Sequence, residues 1–322
     1  MLSRRSWLRQ AAGTGAALAL APRLAHALRR DGLHRKPIPA TGELLPVIGL
    51  GSSATFSAVA RSEDVTALRE VLRAMADQGA TLFDTAPSYG SSEEVAGRLV
   101  HEMGIAARVF WATKVNAAGR GPGATADPAQ ARAQLEQSFA RVQRPVIDLI
   151  QVHNMADVPT HLGALRELKR AGRVRYVGVT TTFPQQYAEL VAVLRNEPLD
   201  FIGIDYAADN RDVEETILPL AQERKVAVLA YAPFGRTSLL RRVGDRPLPD
   251  WAATIDATSW PQVFLKWVVS HPAITAATPA TSQARHMLDN LAGGVGRLPD
   301  AALRATIAAY VDALPPAPAR SR

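Results

Sequence analysis

The sequence predicts an α/β protein whose single domain folds as a (β/α)8 TIM barrel. Eight short apolar segments, rich in β-branched residues, alternate with amphipathic segments of helical period. Apolar character on both faces is typical of parallel strands that are covered by helices. The 322 residues, 47% of them hydrophobic, are enough to build one large barrel core. An open, doubly wound sheet is the alternative that the same alternation allows.

The predicted strands follow one another at the spacing that intervening helices require. A hairpin comes before them, because Thr41-Gly42 separates two short extended pieces within residues 36–50. The eight strands are predicted over residues 47–51, 81–84, 109–114, 147–152, 174–179, 201–205, 226–231 and 274–278.

Local signals mark the starts and ends of several helices. The run Ser91-Ser92-Glu93-Glu94 predicts a capping box, in which a serine and a glutamate satisfy the first free N–H groups of a helix. Asp127 followed by Pro128 predicts a second helix start, and Gly172 predicts a helix end just after Arg170. These signals place helices after the second, third and fourth strands.

The first 27 residues predict an export signal. Positive charges precede an apolar run of about 11 residues, too short for a permanent membrane span, and Ala25-His26-Ala27 resembles a cleavage site. The segment Ser3-Arg4-Arg5-Ser6-Trp7-Leu8 resembles the twin-arginine signal, which directs folded proteins across the bacterial inner membrane. We expect a periplasmic protein whose partners include the twin-arginine export machinery. An ordinary secretory leader is the alternative.

The remaining chain divides into few parts. Residues 28–43 are predicted as a linker and N-terminal hairpin, 44–314 as the barrel and 315–322 as a flexible tail. One long irregular insertion, 236–260, follows the seventh strand, and loops after strands surround the mouth of a barrel. This insertion, with Trp251 and Trp260, is expected either to cover part of the site or to pack as a flap without touching a ligand.

Charge and cysteine content exclude several classes of function. The net charge is +7, but Arg4, Arg5, Arg9 and Arg23 belong to the predicted leader, and taking these four from +7 leaves +3. Because no basic stripe interleaved with aromatic residues follows, no nucleic-acid partner is expected. The absence of cysteine excludes disulfides, thiolate metal sites and a cysteine nucleophile. No metal-binding motif occurs, so no metal is expected.

Four polar residues stand at or just after the ends of apolar strands, where barrel enzymes carry their catalytic groups. Asp84 ends the second strand, Lys114 ends the third and His153 follows the fourth, while Tyr89 lies five residues after Asp84. Taken singly, each has an ordinary structural explanation, such as a helix cap or a core histidine. Their joint position predicts a catalytic site.

The residue types predict proton transfer to a substrate oxygen. Lys114 ends an apolar strand and requires a carboxylate partner, for which Asp84 on the adjacent strand is placed. A phenolate beside that ion pair is stabilised, so we expect the pKa of Tyr89 to fall from about 10 toward the range useful for proton transfer. His153 is placed to hydrogen-bond a substrate oxygen.

Together these residues resemble the aldo-keto reductases over about residues 46–290. Five blocks resemble that family in order and at barrel spacing: Leu82-Phe83-Asp84-Thr85-Ala86 with Tyr89-Gly90, Trp111-Ala112-Thr113-Lys114-Val115, Ile147-Asp148-Leu149-Ile150-Gln151-Val152-His153-Asn154, Arg173-Val174-Arg175-Tyr176-Val177-Gly178-Val179, and Ala230-Tyr231-Ala232-Pro233-Phe234-Gly235.

The resemblance implies an oxidoreductase that uses NADPH to reduce an aldehyde or ketone to an alcohol, or catalyses the reverse reaction. It implies Tyr89 as general acid, Lys114 and Asp84 as its tuning pair, and His153 as the residue that orients a small carbonyl substrate. Tyr231 matches the tyrosine that stacks on the nicotinamide ring. The implied cofactor-binding residues are Gly51, Thr180, Thr181, Tyr231, Phe234, Gly235, Arg236, Thr281, Arg285, Asp289 and Asn290.

The chain departs from the family pattern at the nicotinamide carboxamide. Members usually present Ser-Asn after the fifth strand and Gln on the sixth, where this chain has Thr180-Thr181 and Gly203. Losing a hydrogen bond to a buried amide costs about 1–3 kcal/mol, so the orientation of the nicotinamide ring suffers unless Thr181 or Asp205 substitutes.

The adenosine end of the predicted site is also atypical. The family's basic groups for the 2′-phosphate fall on Ala280 and His286, with Arg285 beside them. NADPH is therefore favoured over NAD by family habit more than by these residues.

Two other functions compete with reduction. An exported cofactor-binding protein with little or no turnover, acting as a redox sensor or assembly partner, would explain the altered carboxamide clamp. A barrel hydrolase using Asp84 and Asp205 would leave Lys114 and Tyr89 unexplained.

Overall fold

A computed structural model describes residues 32–118 and 123–317 of the chain. The predicted leader, including the twin-arginine pair, and residues 318–322 of the predicted tail lie outside this part. No helix within the described ranges is long and apolar enough to cross a membrane.

In the described part of the chain, eight parallel strands form the predicted barrel. They are hydrogen-bonded in sequence order, from the first barrel strand to the last. The first and last are joined by backbone bonds, in which Ala277 N donates to Val47 O and Gly49 N donates to Ala277 O, both at 2.9 Å. The predicted fold is confirmed, with β3 (Leu50–Gly51), β4 (Leu82–Asp84), β5 (Phe110–Val115), β6 (Ile147–Val152), β7 (Val174–Thr181), β8 (Phe201–Asp205), β9 (Ala227–Tyr231) and β10 (Ala276–Ala277).

Helices surround the barrel and cover its outer face. Within the described residues they are α1 (Thr55–Ala60), α2 (Thr66–Asp77), α3 (Ser92–Glu102), α4 (Pro128–Val142), α5 (Val158–Arg170), α6 (Tyr187–Asn196), α7 (Ile217–Glu223), α8 (Ser238–Val243), α9 (Trp251–Thr254), α10 (Trp260–Ser270), α11 (Ala284–Ala292) and α12 (Ala301–Asp312).

The predicted hairpin closes the amino end of the barrel. Strands β1 (Arg35–Pro37) and β2 (Leu44–Pro46) pair in antiparallel fashion. Ile38 and Leu45 of this hairpin are buried against an inner core that includes Leu82 and Phe201. The open end is therefore the carboxyl end of the strands.

Successive side chains on each strand point alternately into the barrel and outward to the helices. The barrel therefore has an inner and an outer core, and the polar residues at the strand ends point inward. In β6, Leu149 belongs to the inner core, whereas Ile150 packs outward against the helices. Asp84, Lys114 and Gln151 each lie two residues beyond an inward-facing apolar residue, and side chains two apart on a strand share a face. The carboxyl end of the barrel interior is consequently polar.

The helix-start predictions have mixed outcomes. Asp127 accepts a hydrogen bond from Ala129 N at 2.8 Å at the start of α4, and α5 ends at Arg170 before Gly172, as predicted. The capping box predicted before α3 was wrong, because Ser91 makes no side-chain cap. Glu93, the residue before the glutamate that such a box would use, is buried and accepts a hydrogen bond from Thr113 Oγ1 at 2.6 Å.

The insertion follows β9, the seventh strand of the barrel, and it is not irregular, since α8 and α9 lie within it. Trp251 packs with Trp260 and Tyr310, with ring centroids 6.3 and 6.0 Å away. Arg242 donates to the carbonyl oxygens of Val311 and Leu314, at 2.7 and 2.9 Å. The part of the insertion around Arg242 and Trp251 therefore packs against the C-terminal helix α12.

Candidate active site at the carboxyl end of the barrel

A buried ion pair lies at the centre of the polar end of the barrel. Lys114 Nζ donates to Asp84 Oδ1 at 2.6 Å and to Thr85 O at 2.8 Å, and both charged side chains are 5% exposed or less. Burial raises the pKa of Asp84, against the opposing effect of Lys114. Burial alone would lower the pKa of Lys114, but the net shift is upward because Asp84 and Tyr89 favour the charged amine. The ammonium group is therefore held in its charged form.

Tyr89 and His153 complete the predicted group of four. The Tyr89 ring centroid lies 5.2 Å from Lys114 Nζ, and the His153 ring meets Tyr89 edge to face with centroids 5.8 Å apart. Tyr89 is positioned by a turn in which its N–H donates to Ala86 O at 3.0 Å, just before α3. The structure thus brings all four predicted catalytic residues to one place.

His153 is held as a neutral imidazole. Burial lowers its pKa from 6.5 to about 3, and the positive charge of Lys114 acts in the same direction. A neutral ring can donate one N–H to a substrate oxygen without carrying a charge. This suits an orienting role at neutral pH.

Tyr231 enters the barrel interior and joins the ion pair. Its hydroxyl donates to Asp84 Oδ2 at 3.1 Å and accepts from Gln151 Nε2 at 2.8 Å. Lys114 Nζ lies 5.1 Å from its ring centroid. Burial and the nearby Asp84 raise the pKa of Tyr231 well above its ordinary value, so this phenol keeps its proton. Sequence reasoning missed Gln151, although a polar residue inside an apolar strand was the available signal.

A cleft of about 590 Å3 opens above these residues. Five predicted cofactor residues line it: Gly51, Thr180, Tyr231, Phe234 and Arg236. Six others lie outside its lining: Thr181, Gly235, Thr281, Arg285, Asp289 and Asn290. Tyr89, Lys114 and His153 form the inner wall of the cleft, so a molecule bound in it meets the catalytic group.

The loop after β9 forms one wall and has an unusual backbone. Ala232, Gly235, Arg236 and Thr237 all have positive φ, between 47° and 75°. The exposed Arg236 side chain donates to Asp205 Oδ2 at 3.2 Å. The loop therefore presents a cation at the rim of the cleft.

The two threonines at the position of the family's carboxamide clamp hydrogen-bond to other residues of the chain. Thr180 Oγ1 accepts from Asn154 N at 3.3 Å, while Thr181 Oγ1 donates to Gln186 Oε1. Asn154 itself, which sequence reasoning missed, lines the cleft with a left-handed φ of 56°. An amide directly after His153 was the signal for it.

The predicted adenosine segment is built around α11. Asp289 accepts from Ser259 Oγ at 2.9 Å and from Gln262 Nε2 at 2.7 Å, and burial raises its pKa. Thr281 Oγ1 accepts from Gln283 N at 3.1 Å. Asn290 is buried and Arg285 is exposed. Arg285 is therefore the member of this set that is placed to meet an anionic group from solvent.

The cleft contains a polar atom suited to a polar ligand. Thr278 Oγ1 is buried at the cleft wall and has no hydrogen-bond partner within the part of the chain that the structure describes. Together with Arg236 and Asn154, which also line the cleft, this hydroxyl forms a set of polar groups that fits an anionic molecule such as a nicotinamide nucleotide.

Comparison with known proteins identifies the family of the chain. The sequence profile of the Aldo/keto reductase family matches residues 47–308. Aldo-keto reductase YhdN of Bacillus subtilis is 34% identical over 196 residues, which are 59% of this chain and 58% of YhdN. The chain thus aligns with less than two thirds of that relative's length.

Two solved structures from Klebsiella pneumoniae share the fold. An aldo-keto reductase in complex with NADPH has a TM-score of 0.70 at 24% identity, covering 90% of this chain and 98% of its own. An aldo/keto reductase in complex with NADP and acetate has a TM-score of 0.63 at 26% identity, covering 87% of this chain and 95% of its own. These structures share the fold, and the profile match across the barrel shows that the chain belongs to the aldo/keto reductase family.

Proposed function

We propose that this protein uses NADPH to reduce an aldehyde or ketone to an alcohol, with Tyr89 as the general acid. The observation that carries the proposal is the buried Lys114–Asp84 pair with Tyr89 and His153 beside it, at the inner wall of one cleft. A metal-free hydride transfer to a carbonyl needs a proton donor and an oriented oxygen, and these residues supply both.

The chain's own residues divide the work. Tyr89 donates its proton to the carbonyl oxygen as that oxygen becomes an alkoxide, while the charge on Lys114 stabilises the phenolate that remains. Neutral His153 donates an N–H to the same oxygen and fixes its direction. NADPH, when bound, supplies the hydride to the carbonyl carbon.

The cofactor assignment draws support from relatives and from the cleft. Structural neighbours are described in complex with NADPH or NADP. We assign Arg236 and the loop after β9 to the pyrophosphate, Thr278 and Asn154 to the nicotinamide end, and Arg285 to the 2′-phosphate. NAD is the less favoured cofactor, because the neighbours that are described with a bound nucleotide carry NADPH or NADP.

Export through the twin-arginine pathway to the periplasm is part of the proposal and draws on residues 3–8 of the sequence. Converting both Arg4 and Arg5 to Lys should retain the protein in the cytoplasm, because that pathway reads the paired guanidinium groups. Cell fractionation followed by immunoblotting checks this, and an unchanged periplasmic yield would favour the ordinary secretory route.

The proposed reaction is tested with purified protein, NADPH and a panel of aldehydes and ketones, monitored by loss of NADPH absorbance. We expect turnover with at least one carbonyl compound and stoichiometric alcohol formation, verified by mass spectrometry. Tight nucleotide binding with no turnover on any member of the panel would contradict the proposal and support the sensor alternative.

A further inference from the structure

The Asp84 carboxylate is held from two sides. Its Oδ1 accepts from Lys114 Nζ at 2.6 Å, and its Oδ2 accepts from the Tyr231 hydroxyl at 3.1 Å. That hydroxyl is held in turn by Gln151 Nε2 at 2.8 Å. A continuous chain of hydrogen bonds therefore runs from Gln151 through Tyr231 and Asp84 to Lys114.

Tyr231 can occupy this position because the neighbouring strand carries a glycine. A Cβ on Gly203 would lie 2.3 Å from Tyr231 Cε2 and 2.6 Å from its hydroxyl oxygen, closer than any real contact. Gly203 pairs with Leu229 in the sheet, two residues before Tyr231, so both side-chain positions face the interior. The phenol fills the space that a residue 203 side chain would need.

We propose that Tyr231 is a positioning residue, admitted by Gly203, that fixes the Asp84 carboxylate and through it the Lys114 ammonium group beneath Tyr89. The proposal rests on the proposed function for its catalytic consequence. Its structural half, the mutual exclusion of a side chain at 203 and the Tyr231 ring, stands independently of any activity.

Removing the Tyr231 hydroxyl is expected to change the pKa of Asp84, because that hydroxyl is one of the groups that contact the carboxylate. The titratable groups facing it are Lys114 on β5, Tyr231 at the end of β9, and Tyr89 and His153 beyond the lysine. Without the Tyr231 hydroxyl, Asp84 Oδ2 loses its donor in a buried site. Since a hydrogen bond to the ionised form lowers a carboxyl pKa, its loss makes Asp84 easier to protonate.

The catalytic half is tested with Tyr231→Phe, which retains the ring. We expect kcat for carbonyl reduction to fall about tenfold, KM for the carbonyl substrate to stay within about twofold, and the acid limb of the kcat profile to move up by about one pH unit. Tyr310→Phe is the matched control, because it removes a phenol from the distant cluster with Trp251 and Trp260. Unchanged kcat and pH profile in Tyr231→Phe would overturn the positioning role.

The structural half is tested by a double-mutant cycle in urea unfolding. Gly203→Ala should increase the unfolding equilibrium constant at least about tenfold in the presence of Tyr231 and by less than about twofold in a Tyr231→Ala background. Equal effects in the two backgrounds would overturn the proposed exclusion. A wild-type protein that reduces no carbonyl would defeat the proposed function, and this cycle would still decide where Tyr231 lies.

Discussion

Two phenols flank Lys114, and the chemistry depends on which of them gives up a proton. Their ring centroids lie 5.2 Å (Tyr89) and 5.1 Å (Tyr231) from Lys114 Nζ. The Tyr231 hydroxyl is already bonded to Asp84, and its raised pKa keeps it protonated. Tyr89 lines the cleft beside His153, where a carbonyl oxygen can approach. For these reasons we propose Tyr89 as the acid and Tyr231 as the residue that supports it.

Arg285 gives a residue-scale test of cofactor choice. Its guanidinium is exposed at the start of α11, where its Nε donates to Gln283 Oε1 at 2.8 Å. Arg285→Ala should weaken NADPH binding about tenfold, since one charge-assisted hydrogen bond to phosphate is lost, and leave NADH binding unchanged. Fluorescence titration of both nucleotides measures this. An equal loss for NADH would remove Arg285 from the 2′-phosphate.

For strands and helices, the sequence predicted where each element lies better than which side chains of different elements touch. Asp84 and Lys114 could be predicted because polar residues stand out at the ends of apolar strands, and strand register is set by alternation. The place of Tyr231 could not, since it depends on the space above Gly203 on another strand. The predicted capping box failed because Ser91 makes no side-chain cap hydrogen bond at the start of α3.

The two ends of the insertion after β9 are expected to respond differently to mutation. Trp251→Ala should lower the unfolding free energy by about 2 kcal/mol, because a half-buried indole in the cluster with Trp260 and Tyr310 is lost. It should leave nucleotide release within about twofold of wild type. Arg236→Ala should instead speed release about tenfold, since the exposed cation lines the cleft.

Stopped-flow displacement of bound NADPH and urea unfolding distinguish these variants. If Trp251→Ala releases the nucleotide as fast as Arg236→Ala, the insertion acts as a lid over the cofactor despite its packing on α12.

For the whole molecule, the partly buried His153 makes the free energy of unfolding depend on pH. His153 has a pKa of about 3 when folded and about 6.5 when unfolded, so between these values the unfolded chain binds a proton that the folded protein does not. This contribution to stability is complete above pH 6.5 and is lost as the pH falls toward 3.

We expect His153→Gln to remove that dependence. Relative to wild type, the variant should lose about 1–2 kcal/mol less stability between pH 7 and pH 5, because the carboxyl contributions common to both proteins cancel. Urea unfolding at the two pH values gives the difference. Parallel losses in the two proteins would show that His153 is not buried in its neutral form.

Tyr89→Phe shows whether Tyr89 gives its proton to a carbonyl oxygen in a barrel that binds NADPH. The substitution keeps the ring that packs on His153 and lies near Lys114, and removes the transferable proton. We predict that kcat falls at least about 100-fold while the Kd for NADPH stays within about twofold, measured by steady-state kinetics and fluorescence titration. If the variant keeps more than about a tenth of wild-type turnover, Tyr89 is not the general acid.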